Sequence, residues 1–267
     1  MQRRAALGAV AAGLAVAASG CLEALLPGSV AEPFERRAVV DAGTSVAVEN
    51  RNGPVRIEPA ADDELVVRGE RRASSPSALE TIRVVVDLGD SIVVRVVHDG
   101  GDGWRNRQVD LTVEVPDGVV LTEASTANGD VTVRDVGGDP HVHTTNGDVD
   151  VARVDGYVRG ASTNGDVTVT GGLDGARTRN GNLDLGIDAL RRDVTAETVN
   201  GDVTTRIGPE VVATVRLRAG NGAVAVEDLP VEETSSSRTR LDGHLRGDDG
   251  PTLRLVTTNG DVVVRPP

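Results

Sequence analysis

The 267-residue chain carries 28 basic residues, all Arg, against 41 acidic ones, for a formal net charge of −13. Such a surface repels nucleic acid and anionic lipid, whose partners need basic patches, and acid excess without Lys is the composition expected where high salt screens carboxylate repulsion. Hydrophobic residues make up 39% of the chain, yet its aromatics are Phe34, Trp104 and Tyr157 alone. Recognition through stacking platforms is thereby excluded, and stiff, β-preferring Val with Leu, Ile and Ala must build the core.

The first residues, Met1-Gln2-Arg3-Arg4, precede an uncharged Ala-rich run from Ala5 to Gly20 that stops at Cys21. A charged start and a run too short for a membrane span predict an export signal over residues 1–20. Ala18-Ser19-Gly20 before Cys21 resembles a lipobox, so Cys21, the chain's one cysteine, is expected to carry a lipid. A plain cleaved signal with an incidental thiol is the alternative. Arg3-Arg4 also resembles a twin-arginine export signal, leaving the export route open. The expected location is the outer face of the cell membrane, with membrane lipid as the first partner. Loss of Arg3 and Arg4 with the signal leaves the chain near −15. Residues 21–37, with Pro27, Gly28 and Pro33, read as a tether.

From residue 38 to 120 period-two segments follow one another: Ser45 to Glu49, Pro54 to Glu58, Glu64 to Arg68, Thr81 to Asp87, Ser91 to His98 and Gln108 to Val115. Each is bounded by Gly, Pro, Asn or Asp, the punctuation of short strands. Thr81 to Asp87 and Ser91 to His98 predict a hairpin, and one helical turn is expected near Pro76 to Leu79.

Residues 121–267 hold an internal repeat: TANGDVTV from Thr126, TTNGDVDV from Thr144, STNGDVTV from Ser162, TRNGNLDL from Thr178, TVNGDVTT from Thr198, AGNGAVAV from Ala219 and TTNGDVVV from Thr257. The corners are Asn128-Gly129, Asn146-Gly147, Asn164-Gly165, Asn180-Gly181, Asn200-Gly201, Asn221-Gly222 and Asn259-Gly260, separated by 18, 18, 16, 20, 21 and 38 residues. A step of 18 is a structural repeat, and 38 reads as two steps, with an exposed excursion at about 232–251. ENRNGPVRI from Glu49 echoes the unit earlier.

Apolar Val131, Val133 and Val136 alternate with polar Thr132 and Arg134, placing one strand face in a core. Eighteen residues trace at most roughly 60 Å, the perimeter of one small coil. The expected fold is all-β: a β-solenoid of 18-residue coils whose Asn-Gly corners stack, preceded by a strand-rich portion. The alternative is an antiparallel sandwich or meander in which each Asn-Gly is a type I′ hairpin turn.

Asp130, Asp148, Asp166 and Asp202, with Asp261, form a candidate calcium column, since hard cations take several oxygen ligands. Against it stands the reading that each Asp bonds local backbone amides. His141 and His143 share a strand face as a half-site for zinc, though exposed strand residues account for them more simply. His98 and His244 have no partner recognisable in sequence. No nucleophile elbow, phosphate loop or dinucleotide fingerprint occurs, so no catalytic residue, metal or cofactor is assigned. Arg134, Arg153, Arg159 and Arg179 beside Asp-rich corners are the residues a polysaccharide-acting β-helix enzyme would use, and also those of a solvated charged face.

The segment VDLTVEVPDGVVL (Val109 to Leu121) followed by serial (S/T)xNGDVxV units resembles the putative-adhesin β-strand-repeat family of envelope proteins, over Val39 to Val264. The resemblance implies a right-handed β-helix-like fold at the cell surface without an established catalytic site. Asn182 and Ala223 depart from its Asp. The expected function is a non-catalytic, lipid-anchored scaffold or adhesin meeting cell-surface protein or polysaccharide. The alternatives are the enzyme above, or a spacer or sensor in an envelope-stress system. The oligomeric state is left open.

Overall fold

The computed structural model describes residues 29–99 and 106–267; Cys21 and the export signal expected over residues 1–20 lie outside the described residues. The first half forms β1 (Val30–Val39), β2 (Ser45–Glu49), β3 (Val55–Pro59), β4 (Glu64–Ala73), α1 (Pro76–Leu79), β5 (Ile82–Leu88), β6 (Ser91–His98), β7 (Arg107–Val115) and β8 (Val120–Asn128). The repeat forms β9 (Val131–Gly137), β10 (His141–Asn146), β11 (Val149–Ala161), β12 (Val167–Arg177), β13 (Leu183–Ala189), β14 (Val194–Asn200) and β15 (Val203–Ile207). Then come β16 (Ala213–Asn221), β17 (Val224–Val226), β18 (Val231–Ser237), β19 (Arg240–Leu245), β20 (Thr252–Asn259) and β21 (Val262–Arg265). The helical turn is capped by Ser75, whose hydroxyl accepts from the Ala78 amide at 3.2 Å, with Pro at the start of the turn.

The strands stack in two ladders joined at the Asn-Gly corners. The first runs β1-β4-β7-β3-β9-β11-β12-β13-β15-β21-β17. The second runs β5-β6-β2-β8-β10-β11-β12-β14-β20-β16-β19-β18, with β11 and β12 long enough to serve both. Rung upon rung the pairing is parallel, which is the β-solenoid; the hairpin meander is not what forms. Parallel sheets need their inner face covered, and here each ladder covers the other.

The core follows from register. Val131, Val149, Val167, Leu183, Val203 and Val262 stand in one row, each at most 1% exposed. Each such side chain contributes about 1.5–3 kcal/mol of burial, and each rung depends on its neighbours for it.

Chain order and rung order part at both ends. The β2–β3 rung lies between the β6–β7 rung and the β8–β9 rung, so Asn52 joins the column through its bridge to Asn128. At the far end β20–β21 inserts between β14–β15 and β16–β17. The 38-residue gap is therefore not two steps along the stack. After Asn221 the chain forms the β18–β19 hairpin outside β16, then returns to fill the place it had skipped. The excursion at 232–251 is this hairpin: β18 is exposed, while Leu241 and Leu245 of β19 are buried. Antiparallel strands thus close the ends of both ladders except at β17, ending the parallel template.

Candidate functional site

The corner residues make the most regular polar array in the described chain. Asn146 Nδ2 donates to Asn128 Oδ1 at 2.9 Å, Asn164 to Asn146 at 2.8 Å, Asn180 to Asn164 at 2.8 Å and Asn200 to Asn180 at 2.7 Å. Asn259 then donates to Asn200 at 2.7 Å and Asn221 to Asn259 at 2.8 Å, in rung order rather than chain order. This is an unbroken amide ladder, of the kind that in-register parallel stacking permits.

The Asp side chains bond across rungs too. Oδ1 of Asp130 accepts from the Asp148 amide at 2.9 Å, Asp148 from Asp166 at 2.8 Å, and Asp166 from Asn182 at 2.7 Å. Asn182 Oδ1 accepts from Asp202 at 2.9 Å, Asp202 from Asp261 at 2.8 Å, and Asp261 from Ala223 at 2.8 Å. Both departures from the motif are explained. Asn182 supplies the same oxygen without the charge, and Ala223 lies in the last corner, where no further Asn-Gly rung offers an amide. The sequence pointed to amides of the Asp's own turn; the partner is the next rung's amide.

A third column, whose role the sequence reading did not assign, is built from the Ser or Thr two places before the Asn in every unit from Thr126 to Thr257 but the one at Asn221. The hydroxyls of Thr144, Ser162, Thr178 and Thr198 donate to the carbonyls of Gly129, Gly147, Gly165 and Gly181 at 2.8–2.9 Å, and Thr257 to Gly201 at 2.8 Å. Glycine is required at the corner twice over. Gly165 has φ +150°, and a Cβ there would lie 1.9 Å from the Gly147 carbonyl oxygen.

The candidate calcium residues Asp130, Asp148, Asp166 and Asp202 are therefore brought into one file, each with one oxygen held by a backbone amide and with neutral Asn182 interrupting the row. Among the described residues no group of three or more His, Asp or Glu is placed to hold a metal ion. His141 and His143 stack with ring centroids 4.7 Å apart. Burial first, then neighbouring His143 and Arg159, hold His141 below the ordinary imidazole value, against the pull of Glu123. His98 is also held low, by burial and then by Arg51 and Arg107, and His244 meets Thr214 through Nδ1 at 3.4 Å.

Two of the four Arg residues named as a catalytic option, Arg134 and Arg153, are committed to ion pairs. Arg153 grips Asp135 at 2.5 and 2.7 Å, Arg134 pairs with Asp150, and Arg177 rather than Arg179 meets Glu197 at 3.8 Å. Hydrogen bonding to Arg153 holds Asp135 below the usual carboxylate range, which disfavours a general base at neutral pH. On a second corner Arg191 bridges Asp139 at 2.6 Å and Asp174 at 3.0 Å and lies 4.4 Å over the Tyr157 ring. A hollow of about 340 Å³ is lined by Thr168, Thr170, Asp184, Asp188 and Arg206, and one of about 440 Å³ by Asp117, Asp135, Arg153 and Asp155. Neither gathers His with its acids.

Residues 44–265 match the family described as Toastrack DUF4097, and the chain belongs to that family. No curated protein matches it. Among solved structures, a putative adhesin from Bacteroides fragilis is 14% identical over 88% of this chain and 97% of its own, with a TM-score of 0.50, a likeness of fold. A putative cell adhesion protein from Clostridium sporogenes is 10% identical over 88% of this chain and 100% of its own, at a TM-score of 0.36. A putative lipid binding protein from Parabacteroides distasonis is 10% identical over 86% and 96%, at 0.39.

Proposed function

We propose that this Toastrack chain is a non-catalytic scaffold, exported and lipid-anchored through Cys21, that presents its outer ladder faces to other envelope components. One observation carries the reading: the motif's polar atoms are engaged in bonding rung to rung. Asn donates to Asn, Ser or Thr to the Gly carbonyl, and a backbone amide to Asp. What repeats is thus the device that holds the stack, and what varies between rungs is the outer face. That face carries Thr132, Asp150, Thr168, Asp184 and Thr204 in one row. Ion pairs such as Arg134–Asp150 and Arg206–Asp184 flank the row. A regular polar face binds by repetition of modest contacts rather than by one pocket.

The same reading explains the charge. A chain of net charge −13 stays apart from anionic lipid except where salt screens it. The adhesin names of the structural neighbours agree with a surface role.

The test is fractionation with protease treatment of intact cells. The chain is expected in the membrane fraction and open to external protease, and Cys21→Ser is expected to release it into the medium. A chain protected from protease, or one that stays in the membrane fraction as the Cys21→Ser variant, overturns the anchoring and the location. Asp148→Asn with Asp166→Asn keeps each Oδ1 acceptor and is expected to leave partner capture from intact cells unchanged. Loss of capture would mean that the charges themselves recognise the partner.

A further inference from the structure

The outer edges of the two ladders are closed in different ways. In the first ladder β1 carries Pro33 among Glu32, Glu35, Arg36 and Arg37, while β17 is three residues long and gives its Val224 amide to the Arg238 carbonyl at 2.9 Å. In the second, β18 ends the sheet with Glu232, Glu233 and Ser235 to Ser237. Charges, Pro and brevity are the usual guards of a sheet edge. The remaining edge, β5, has neither Pro nor brevity: it reads Ile-Arg-Val-Val-Val-Asp-Leu, its two charges Arg83 and Asp87 are of opposite sign, and Val85 and Leu88 are 37% and 57% exposed.

The phase of its free bonds is fixed. The Asp99 amide donates to the Thr81 carbonyl at 2.8 Å, so odd-numbered β5 residues bond to β6. The even-numbered ones, Ile82, Val84, Val86 and Leu88, turn N–H and C=O to the edge, where Arg71 Nη1 already donates to the Ile82 carbonyl at 2.7 Å. We propose that β5 pairs antiparallel with β5 of a second copy of this chain, about a two-fold axis through Val85. In that register Val84 bonds to Val86 on both sides of the axis, and Ile82, whose carbonyl also serves Arg71, stands opposite Leu88, so edge-facing residues meet edge-facing residues.

The side chains select the same register. On the outer face Arg83 stands opposite Asp87 at both ends of the pair, an arrangement that favours pairing, and Val85 meets Val85. Arg83 already holds Asp99 through Nε at 2.6 Å and Nη2 at 3.1 Å, leaving Nη1 for the carboxylate opposite. A shift of two residues towards Val86 sets Asp87 against Val85 and loses both ion pairs. A shift of one faces bonded residues with free ones. The contact is isologous and closes at two copies, so it does not propagate into fibres.

The experiment uses the full-length chain with Cys21→Ser, purified in detergent, and reads mass by sedimentation at several protein and salt concentrations. A dimer is expected, at least tenfold weakened by Val85→Lys, which places two like charges face to face on the axis while Val85 is already part-exposed in one copy. Val85→Cys is expected to oxidise to a disulfide-linked dimer at least tenfold faster than Val39→Cys, a control whose parent side chain is 79% exposed on β1. A monomer throughout the concentration range overturns the proposal. So does a dimer that Val85→Lys leaves intact, or equal cross-linking of the two cysteine variants.

Discussion

The stacked corner makes a sharp prediction at Gly165. Alanine there would place its Cβ 1.9 Å from the Gly147 carbonyl oxygen, 2.5 Å from that carbonyl carbon and 2.8 Å from Asp148 Oδ1, at φ +150°. A left-handed non-glycine residue costs of order 1–3 kcal/mol by itself. Relief of the clash requires the two rungs to part. That strains the Gly147 amide bond to the Asn164 carbonyl, the Ser162 hydroxyl bond to Gly147 and the Asn164 bond to Asn146. Each is worth about 0.5–1.5 kcal/mol net. The expected loss is therefore about 2.5–7.5 kcal/mol, or a fall in Tm of roughly 5–30 °C at about 2–4 °C per kcal/mol. Thermal unfolding followed by circular dichroism reads it directly. Gly137→Ala is the control, since a Cβ there meets nothing within 4 Å, and its expected change is within about 0.5 kcal/mol. Equal melting of the two variants would refute the stacked-corner account.

Further predictions follow from single atoms. Thr205 stands between Leu185 and Val264 in the core row at 0% exposure, and its hydroxyl has no hydrogen-bond partner. Thr205→Val should stabilise the chain by about 1–3 kcal/mol in a denaturant titration, and a loss of stability would count against the position of that hydroxyl. Asn182→Ala removes the oxygen that accepts from Asp202 and should cost about 0.5–1.5 kcal/mol at any salt concentration. Asn182→Asp keeps the oxygen but joins Asp166 and Asp202 into one charged file. Its cost, about 0.9 kcal/mol per neighbour at ~4.8 Å in water, should vanish near ~1 M salt. Burial holds His98 below the ordinary value of 6.5, so the unfolded chain binds more protons than the folded one below that pH. Stability is then complete above about pH 7 and falls as the pH drops through 6.5. His98→Leu should flatten Tm between pH 7 and 5, and an unchanged slope would assign the effect to another group.

The fold was legible because the corner makes the same demand at every rung. Only Gly fits a close carbonyl at positive φ, and only a small amide makes the ladder, so Asn-Gly recurs every 16 to 20 residues from Asn128 to Asn200. Rung order was not legible. The units at Asn221 and Asn259 share the Asn-Gly pair and the alternation, and either would pair its strands with the Asn200 rung, although the first has Ala219 and Ala223 where the second has Thr257 and Asp261. What separates them is the β18–β19 hairpin, whose Leu241 and Leu245 bury against the stack, a tertiary preference that periodicity does not encode. The Asp partners were half legible. The offset marked Asp as a corner acceptor, but an amide of its own turn and one a rung away leave the same trace in sequence. Pro54, standing where later units place Asp, shows that the Asn-Gly pair suffices for a first rung.

The three side-chain columns share one direction, and this gives the stack two unlike ends. Asn Nδ2, the Ser or Thr hydroxyl and the amide of the Asp position all donate towards the preceding rung. Each rung therefore shows donors behind and acceptors ahead. Along such a stack a terminal rung would offer Asn, Gly and Asp oxygens to any chain able to add another coil. Here the last corner has Ala223 for Asp, which removes one acceptor, and Ala219 for Thr. The hairpin turn lies against that rung, with Thr239 accepting from the Ala219 amide at 3.0 Å and Arg238 from Val224 at 2.9 Å. The two alanines are thus part of the cap: they mark the rung where the template stops, and the hairpin takes the backbone donors that a further coil would otherwise have used.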